Sequence, residues 1–287
     1  MQEITPTAAT QPHPFPTGAI VKEAWRISTT YFWPLTMAIF VIQIPEKIMV
    51  SLANDNQAWK ISLWYEALVS GFVFVGVYRA IYRLRSDGFT PTFSGIYKEG
   101  QPFYGRNFRL VLSFNIYSAL ILIGVALLVI PCFMLLRDST NQPWSFILLA
   151  ISCIIGAFII AWWTTRIFIY RAALSDDSPG ATKAIEYALR LTKGNALRLF
   201  PLILCMLGIL TVIVGFHIAN YVLMAGGLEN EMSKATEINA NLISAIPFAF
   251  AETLGIAMAA LAYLRLKEES QLVSPSAISA GPETPLS

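Results

Sequence analysis

Charge is what this sequence has least of. Acidic and basic residues make up 13% of its 287 positions, against about 25% in an ordinary soluble domain. A water-facing surface needs those charges, so a conventional soluble globule is excluded. Histidine is scarcer still, with only His13 and His217, and the three cysteines (Cys132, Cys153 and Cys205) show no CxxC spacing. Too few ligands remain for a zinc site. The cysteines lie in apolar stretches, where a free thiol packs as a small buried hydrophobe. The chain also lacks a Walker loop, a dinucleotide fingerprint, a serine elbow and HExxH. No DxxD or comparable lipid-phosphate constellation occurs between the apolar stretches. No catalytic, cofactor-binding or metal-binding residue is therefore expected, and the chain reads as no enzyme. Its basic segments carry no nucleic-acid motif, so no nucleic-acid partner is expected.

Apolar residues are abundant, at 55%, with a mean hydropathy of +0.57. They gather into six stretches, at 31–52, 61–83, 110–136, 144–170, 197–225 and 241–264. A bilayer core of ~30 Å is crossed by about 20 apolar helical residues. Lipid offers no partner to a free backbone amide, so each stretch is expected to be a helix. The ten-residue alternation of a barrel strand is absent. The expected fold class is an all-α membrane protein with six transmembrane helices. Residues 1–17 hold Pro6, Pro12, Pro14 and Pro16 without an apolar core. They read as a disordered tail and not as a secretory signal. Residues 267–287 read as a second tail, leaving 18–266 as the membrane domain.

The basic residues alternate in density from one side of these stretches to the other. Sixteen of the 20 lysines and arginines lie in or beside the two ends and the even-numbered loops, and four lie in or beside the odd-numbered ones. Basic residues are retained on the cytoplasmic side, so both termini are expected there. Tryptophans near the stretch ends fit an interfacial aromatic belt.

Ahead of each odd-numbered stretch lies an amphipathic segment. The clearest runs from Pro179 to Lys193, with Ser178 as N-cap, Pro179 at the first helical position and Gly194 closing the end. Ala181, Ala184, Ile185, Ala188 and Leu189 share one face, and Lys183, Glu186 and Arg190 take the rest. The first counterpart runs from Gly18 to Thr30, capped by Thr17, with Ile20, Ala24 and Ile27 as its stripe. A third lies in 93–110, where Gly100 and Pro102 argue against one continuous helix. The chain reads as three repeats of cytoplasmic segment plus hairpin, about 17–84, 90–171 and 178–265.

The runs ATKAIEYALRLTKGNALRLFPLIL (181–204), EAWRISTTYFWPL (23–35) and LLVIPCFMLLR (127–137) carry a resemblance. Together they resemble a group of bacterial multi-span proteins that includes the membrane domain of some glycerophosphoryl diester phosphodiesterases. The likeness covers most of 18–266. Cys132 stands where relatives tend to carry glycine, and RDSTNQP (137–143) is a polar insertion of this chain. A phosphodiesterase barrel takes about 200 or more residues, and the chain has no room for one. The resemblance therefore implies an architecture and a bacterial cytoplasmic membrane, and no activity.

Polar residues inside the stretches are the candidates for function, since a charge at the bilayer centre costs about 2.5–3.5 kcal/mol on insertion scales. Glu252 and Gln43 both fall about 20 Å from the cytoplasmic end at 1.5 Å per residue. Glu66 and His217 fall nearer the outer surface, and Asn115 and Arg166 nearer the inner one, with Arg166 snorkelling to headgroups. Ala245, Ala249, Ile256 and Ala259 share a face with Glu252, which turns that carboxyl towards the bundle. Glu252 reads first as a protonated structural hydrogen-bonding group and second as a proton, ion or headgroup site. Asp176 and Asp177 read as favourable charge at a helix start. The leading expectation is a non-enzymatic protein that organises or interacts within the membrane, through lipids or other membrane proteins. The rival is a small-solute or ion transporter with its polar site around Glu252.

Overall fold

The computed structural model describes residues 15–53, 55–138, 143–176, 181–225 and 233–273. All regular structure among them is helical. The chain runs through α1 (Thr17–Thr30), α2 (Phe32–Leu52) and α3 (Asp55–Tyr65). A π-helical turn, Glu66–Ser70, leads into α4 (Gly71–Ser86). After α5 (Phe93–Gly100) a 3-10 turn, Gln101–Phe103, leads into α6 (Tyr104–Asp138). Then come α7 (Pro143–Ile167), α8 (Tyr170–Ser175), α9 (Ala181–Thr192), α10 (Ala196–Ala225) and α11 (Lys234–Val273). Six helical segments are long and apolar enough to cross a membrane: Phe32–Leu52, Lys60–Ser86, Phe93–Pro131, Phe146–Ser175, Ala196–Ala225 and Lys234–Gln271.

The core forms where α11 lies against α2, α4 and α10. Small residues allow this closeness. Ala249, Ala257, Ala259, Ala260 and Ala262 of α11 are buried, as are Leu35, Ala38 and Ile39 of α2. Polar contacts pin the register of α2 on α11. Thr36 Oγ1 donates to Thr253 Oγ1 at 3.3 Å, and Asn241 Nδ2 donates to Ser51 Oγ at 2.7 Å. A second close approach joins α4 to α5. A Cβ on Gly76 would stand 2.1 Å from the Ile96 carbonyl oxygen, and one on Gly100 would stand 2.0 Å from that of Phe72. Only glycine fits at either point. The α6–α7 hairpin is different: Ile116, Leu120, Leu127, Ile154 and Phe158 all face outward.

The three amphipathic segments are α1, α5 and α9, each placed before a long helix. Ala184, Ile185 and Ala188 of α9 are buried, with Leu191 beside them, whereas Leu189 is only half-buried. Gly194 closes this helix at φ +81°, a left-handed conformation that suits glycine. Ser178 and Pro179 lie outside the described residues. Ile20, Ala24 and Ile27 of α1 are buried as their spacing requires. α5 stops at Gly100 and the chain turns through Pro102 before α6.

Several expectations need correction. Thr17 is not a cap: Pro16 holds that position and makes no side-chain cap bond. The C-terminal tail does not begin at 267, because α11 continues to Val273. Arg198 bonds Glu269 at 3.0 Å, and Lys267 pairs with Asp176, so tertiary contacts hold that end. The remainder of both expected tails lies outside the described residues. Cys153 and Cys205 are exposed on the bundle, since the outward faces of these helices are themselves apolar; the side chain of Cys132 lies outside the described residues. Asp176 takes hydrogen bonds from Tyr263 at 2.6 Å and from Lys267, a tertiary pairing that sequence reasoning did not anticipate. Asp177 lies outside the described residues.

Candidate functional site

Glu252 and Gln43 meet. Gln43 Nε2 donates to Glu252 Oε2 at 2.6 Å, joining α2 to α11. Each residue lies within an apolar helix, and the small face of α11 brings the two backbones close enough for the contact. Ala249 and Ala245, one and two turns before Glu252, are fully buried, and Ile256 and Ala259 follow on the same side. Gln43 is 5% exposed, and its Oε1 has no hydrogen-bond donor among the described residues.

The pair sits in the wall of a cavity of about 390 Å³, lined also by Glu46, Lys47, Ser62, Glu66, Ser70 and Arg171. Arg171, on α8, donates through Nη2 to Glu66. Its guanidinium carbon lies 5.3 Å from the Phe74 ring centre and 5.7 Å from that of Tyr170. Its Nε is buried and has no acceptor among the described residues. Ser62 donates to Glu46. Lys47 Nζ stands 5.6 Å from the centre of the Phe248 ring. Three acidic side chains (Glu46, Glu66 and Glu252) thus share one cavity with two basic ones (Lys47 and Arg171).

The π turn explains how one helix supplies so much of this wall. Ser62, Glu66, Ser70, Phe74 and Tyr78 recur every fourth residue along α3 and α4, and all five line the cavity. In a regular α-helix of 3.6 residues per turn, a four-residue row drifts by about 40° per step. Five-residue hydrogen bonding over Glu66–Ser70 widens the turn and rotates the row the other way. Single π turns of this kind are frequent at functional sites. Nothing in the amino-acid pattern announces the turn.

A second cavity, of about 290 Å³, opens beside the first between α7, α10 and α11. Its walls are apolar: Thr164, Ile203, Leu207, Ile209, Leu210, Phe248, Ala251 and Met258, with Phe168, Met206 and Glu252 shared with the polar cavity. Met206 reaches its place because position 255 is glycine. A Cβ there would stand 2.7 Å from the Met206 methyl.

Of the four candidate residues, three come together: Glu252, Gln43 and Glu66. Glu66 is half of an ion pair in the cavity wall. His217 stands apart. Its Nδ1 lies 2.9 Å from Ser244 Oγ, and Asn220 Nδ2 donates to Ala240 O at 3.2 Å, so both residues join α10 to α11. Arg166 Nη2 donates to Leu189 O at 2.9 Å and holds α9 to α7. Asn115 donates to the carbonyl of Val111 in its own helix at 2.8 Å. Sequence reasoning missed Glu46, Lys47 and Arg171. A usable signal existed for the first two, which lie within the apolar stretch 31–52 itself. Arg171 falls one residue past the expected end of the fourth stretch, where it reads as a loop charge.

No grouping of three or more His, Cys, Asp or Glu side chains suited to a metal ion occurs among the described residues. The fold and the cavity together define a helical bundle of membrane-crossing length with a charged chamber among its helices. Compared with protein-family models, curated proteins and solved structures, the chain has no match.

Proposed function

We propose that this chain spans a bacterial cytoplasmic membrane six times, with both termini inside, and carries a small charged solute or ion through the chamber at Glu252. The observation that carries this reading is the grouping of Glu46, Lys47, Glu66, Arg171, Glu252 and Gln43 around one cavity of about 390 Å³. Ionisable groups at membrane depth are costly, and where they occur they mark substrate or ion paths. Here a buried acceptor, Gln43 Oε1, and a buried donor, Arg171 Nε, are left over, and such orphans are expensive unless a ligand or water completes them. The outward apolar face of the α6–α7 hairpin supports membrane insertion, because a water-facing surface of that composition would aggregate. The recurrence of α1, α5 and α9 before long helices supports three repeats, and internal repeats are common in transporters. The resemblance to the phosphodiesterase membrane domain adds architecture alone. An organising role without transport is the alternative.

Purified protein in liposomes separates the two. A panel of amino acids, polyamines and alkali cations is supplied outside, and uptake is followed with a trapped pH- or ion-sensitive dye. Saturable uptake of at least one class is expected, lost in Glu252→Gln while the variant keeps its thermal-unfolding midpoint. Glu252→Leu, which removes the bond to Gln43, is expected to lose on the order of 0.6–2 kcal/mol of stability as well. Absence of uptake across the panel, with a partner protein copurifying in mild detergent, would return the organising role.

A further inference from the structure

The two cavities at Glu252 are one site of divided chemistry. The first offers charged groups of both signs, and the second, sharing Phe168, Met206 and Glu252 with it, is apolar along α7, α10 and α11. The helices that form the second cavity carry their exposed apolar residues beside it, including Leu204, Leu207 and Leu210. A hydrophilic solute would fill the polar part and leave the apolar part to lipid. The geometry points to a single-chain zwitterionic amphiphile as the ligand, its ammonium at Gln43 and Glu252, its anionic oxygens at Arg171 and its alkyl chain between α7, α10 and α11. This inference rests on the reading of the chamber as a ligand site and names the class of molecule it takes.

The two unpartnered atoms assign the ends of the head. Gln43 Oε1 is a buried acceptor lacking a donor, and Arg171 Nε is a buried donor lacking an acceptor. One primary ammonium can donate to Gln43 Oε1 and to the Glu252 carboxylate together, whereas a quaternary ammonium has no hydrogen to give. A phosphate oxygen suits the guanidinium, which already spends Nη2 on Glu66. Lys47, one turn from Gln43 on α2, lines the same cavity. The combined size, about 390 and 290 Å³, lies within the ~300–1,000 Å³ of ordinary ligand sites. Met206 and Phe168 stand where head and chain would join. Met206 is an unbranched, adaptable side chain seated against Gly255, which suits an element that must move aside for a chain entering from the lipid.

The test uses the full chain in phosphatidylglycerol vesicles and a lysophosphatidylethanolamine with a photoreactive diazirine at the end of its chain. Labelled positions are mapped by mass spectrometry. Labelling is expected on the α10 segment around Ile203, Leu207 and Leu210. It should fall about tenfold, equivalent to about 1.4 kcal/mol of affinity, in Glu252→Gln and in Ala251→Trp, which fills the apolar cavity. Leu207→Trp serves if Ala251→Trp fails to accumulate. Unlabelled lysophosphatidylethanolamine should compete, tetradecanol should not, and glycerophosphoethanolamine, the head without a chain, should compete only weakly. Full competition by glycerophosphoethanolamine, with no effect of either tryptophan, would overturn the amphiphile and leave the polar site standing. Labelling spread evenly over α6, α7 and α10, unchanged by every variant and competitor, would overturn the amphiphile, since it would be bulk contact with lipid.

Discussion

Arg171 shows how much a single side chain depends on its surroundings here. It sits 17% exposed, paired with Glu66 and flanked by the rings of Phe74 and Tyr170. A charge so placed is tolerated because its partner is present; removing one partner leaves the other uncompensated. Arg171→Met should therefore destabilise more than the double variant Glu66→Gln/Arg171→Met. The coupling energy is expected on the order of 0.5–3 kcal/mol, towards the lower end because the Glu66 side chain is 37% exposed and water screens the pair. Equilibrium unfolding of the four proteins in mixed micelles measures it, and strictly additive losses would show that the pair is not coupled. Glu252 and Gln43 were legible as candidates because a polar residue within an apolar run stands out. Their meeting was suggested by equal depth. Arg171 was not legible, because a basic residue just past an apolar stretch looks like any loop charge.

Among the elements, the short amphipathic helices were the easiest to read and α9 the clearest. Its buried stripe follows helical spacing, and Gly194 ends it at a conformation other residues rarely adopt. Ile185→Asp and Leu191→Asp each place a charge against the core beside Ala184 and Ala188 and should lower the amount of folded protein severalfold. Lys183→Gln and Glu186→Gln lie on the exposed face and should stay within about 0.5 kcal/mol. Fluorescence-detected size exclusion of tagged variants reads both, and equal behaviour of the two pairs would mean that α9 does not dock through this stripe. The π turn at Glu66–Ser70 lay beyond reach. Its existence depends on the fit of α3 and α4 against their neighbours, and no local residue preference demands it. Pro45, Pro131, Pro201 and Pro247 all lie inside continuous helices, whereas Gly100 and Pro102 mark a real break.

For the whole molecule the outstanding quantity is orientation. The bias of 16 basic residues against four predicts that Gln57 and Ser233 face outward and that Ser86 and Ser94 face inward. All four are exposed in the structure. Single cysteines at these positions, in a background without the native three, should react with an impermeant maleimide in intact cells at 57 and 233 only. Permeabilised cells should react at all four. The opposite pattern would reverse the orientation, and equal reaction at all four in intact cells would refute six crossings.

Composition and the spacing of apolar residues alone determined that this chain is helical, that six segments have the length and apolarity to cross a membrane, and that three short amphipathic helices precede odd-numbered ones. Those properties are local. They depend on hydrogen bonding within one segment and on which face of one helix is apolar, so they can be read residue by residue. Only the tertiary structure decided that Glu66 pairs with Arg171 across 105 positions, that Glu46 and Lys47 share a chamber with Glu252, and that an apolar cavity adjoins it. Each of these depends on which faces of α2, α4, α8, α10 and α11 turn towards one another, and that is set by the close packing of small residues from several helices at once.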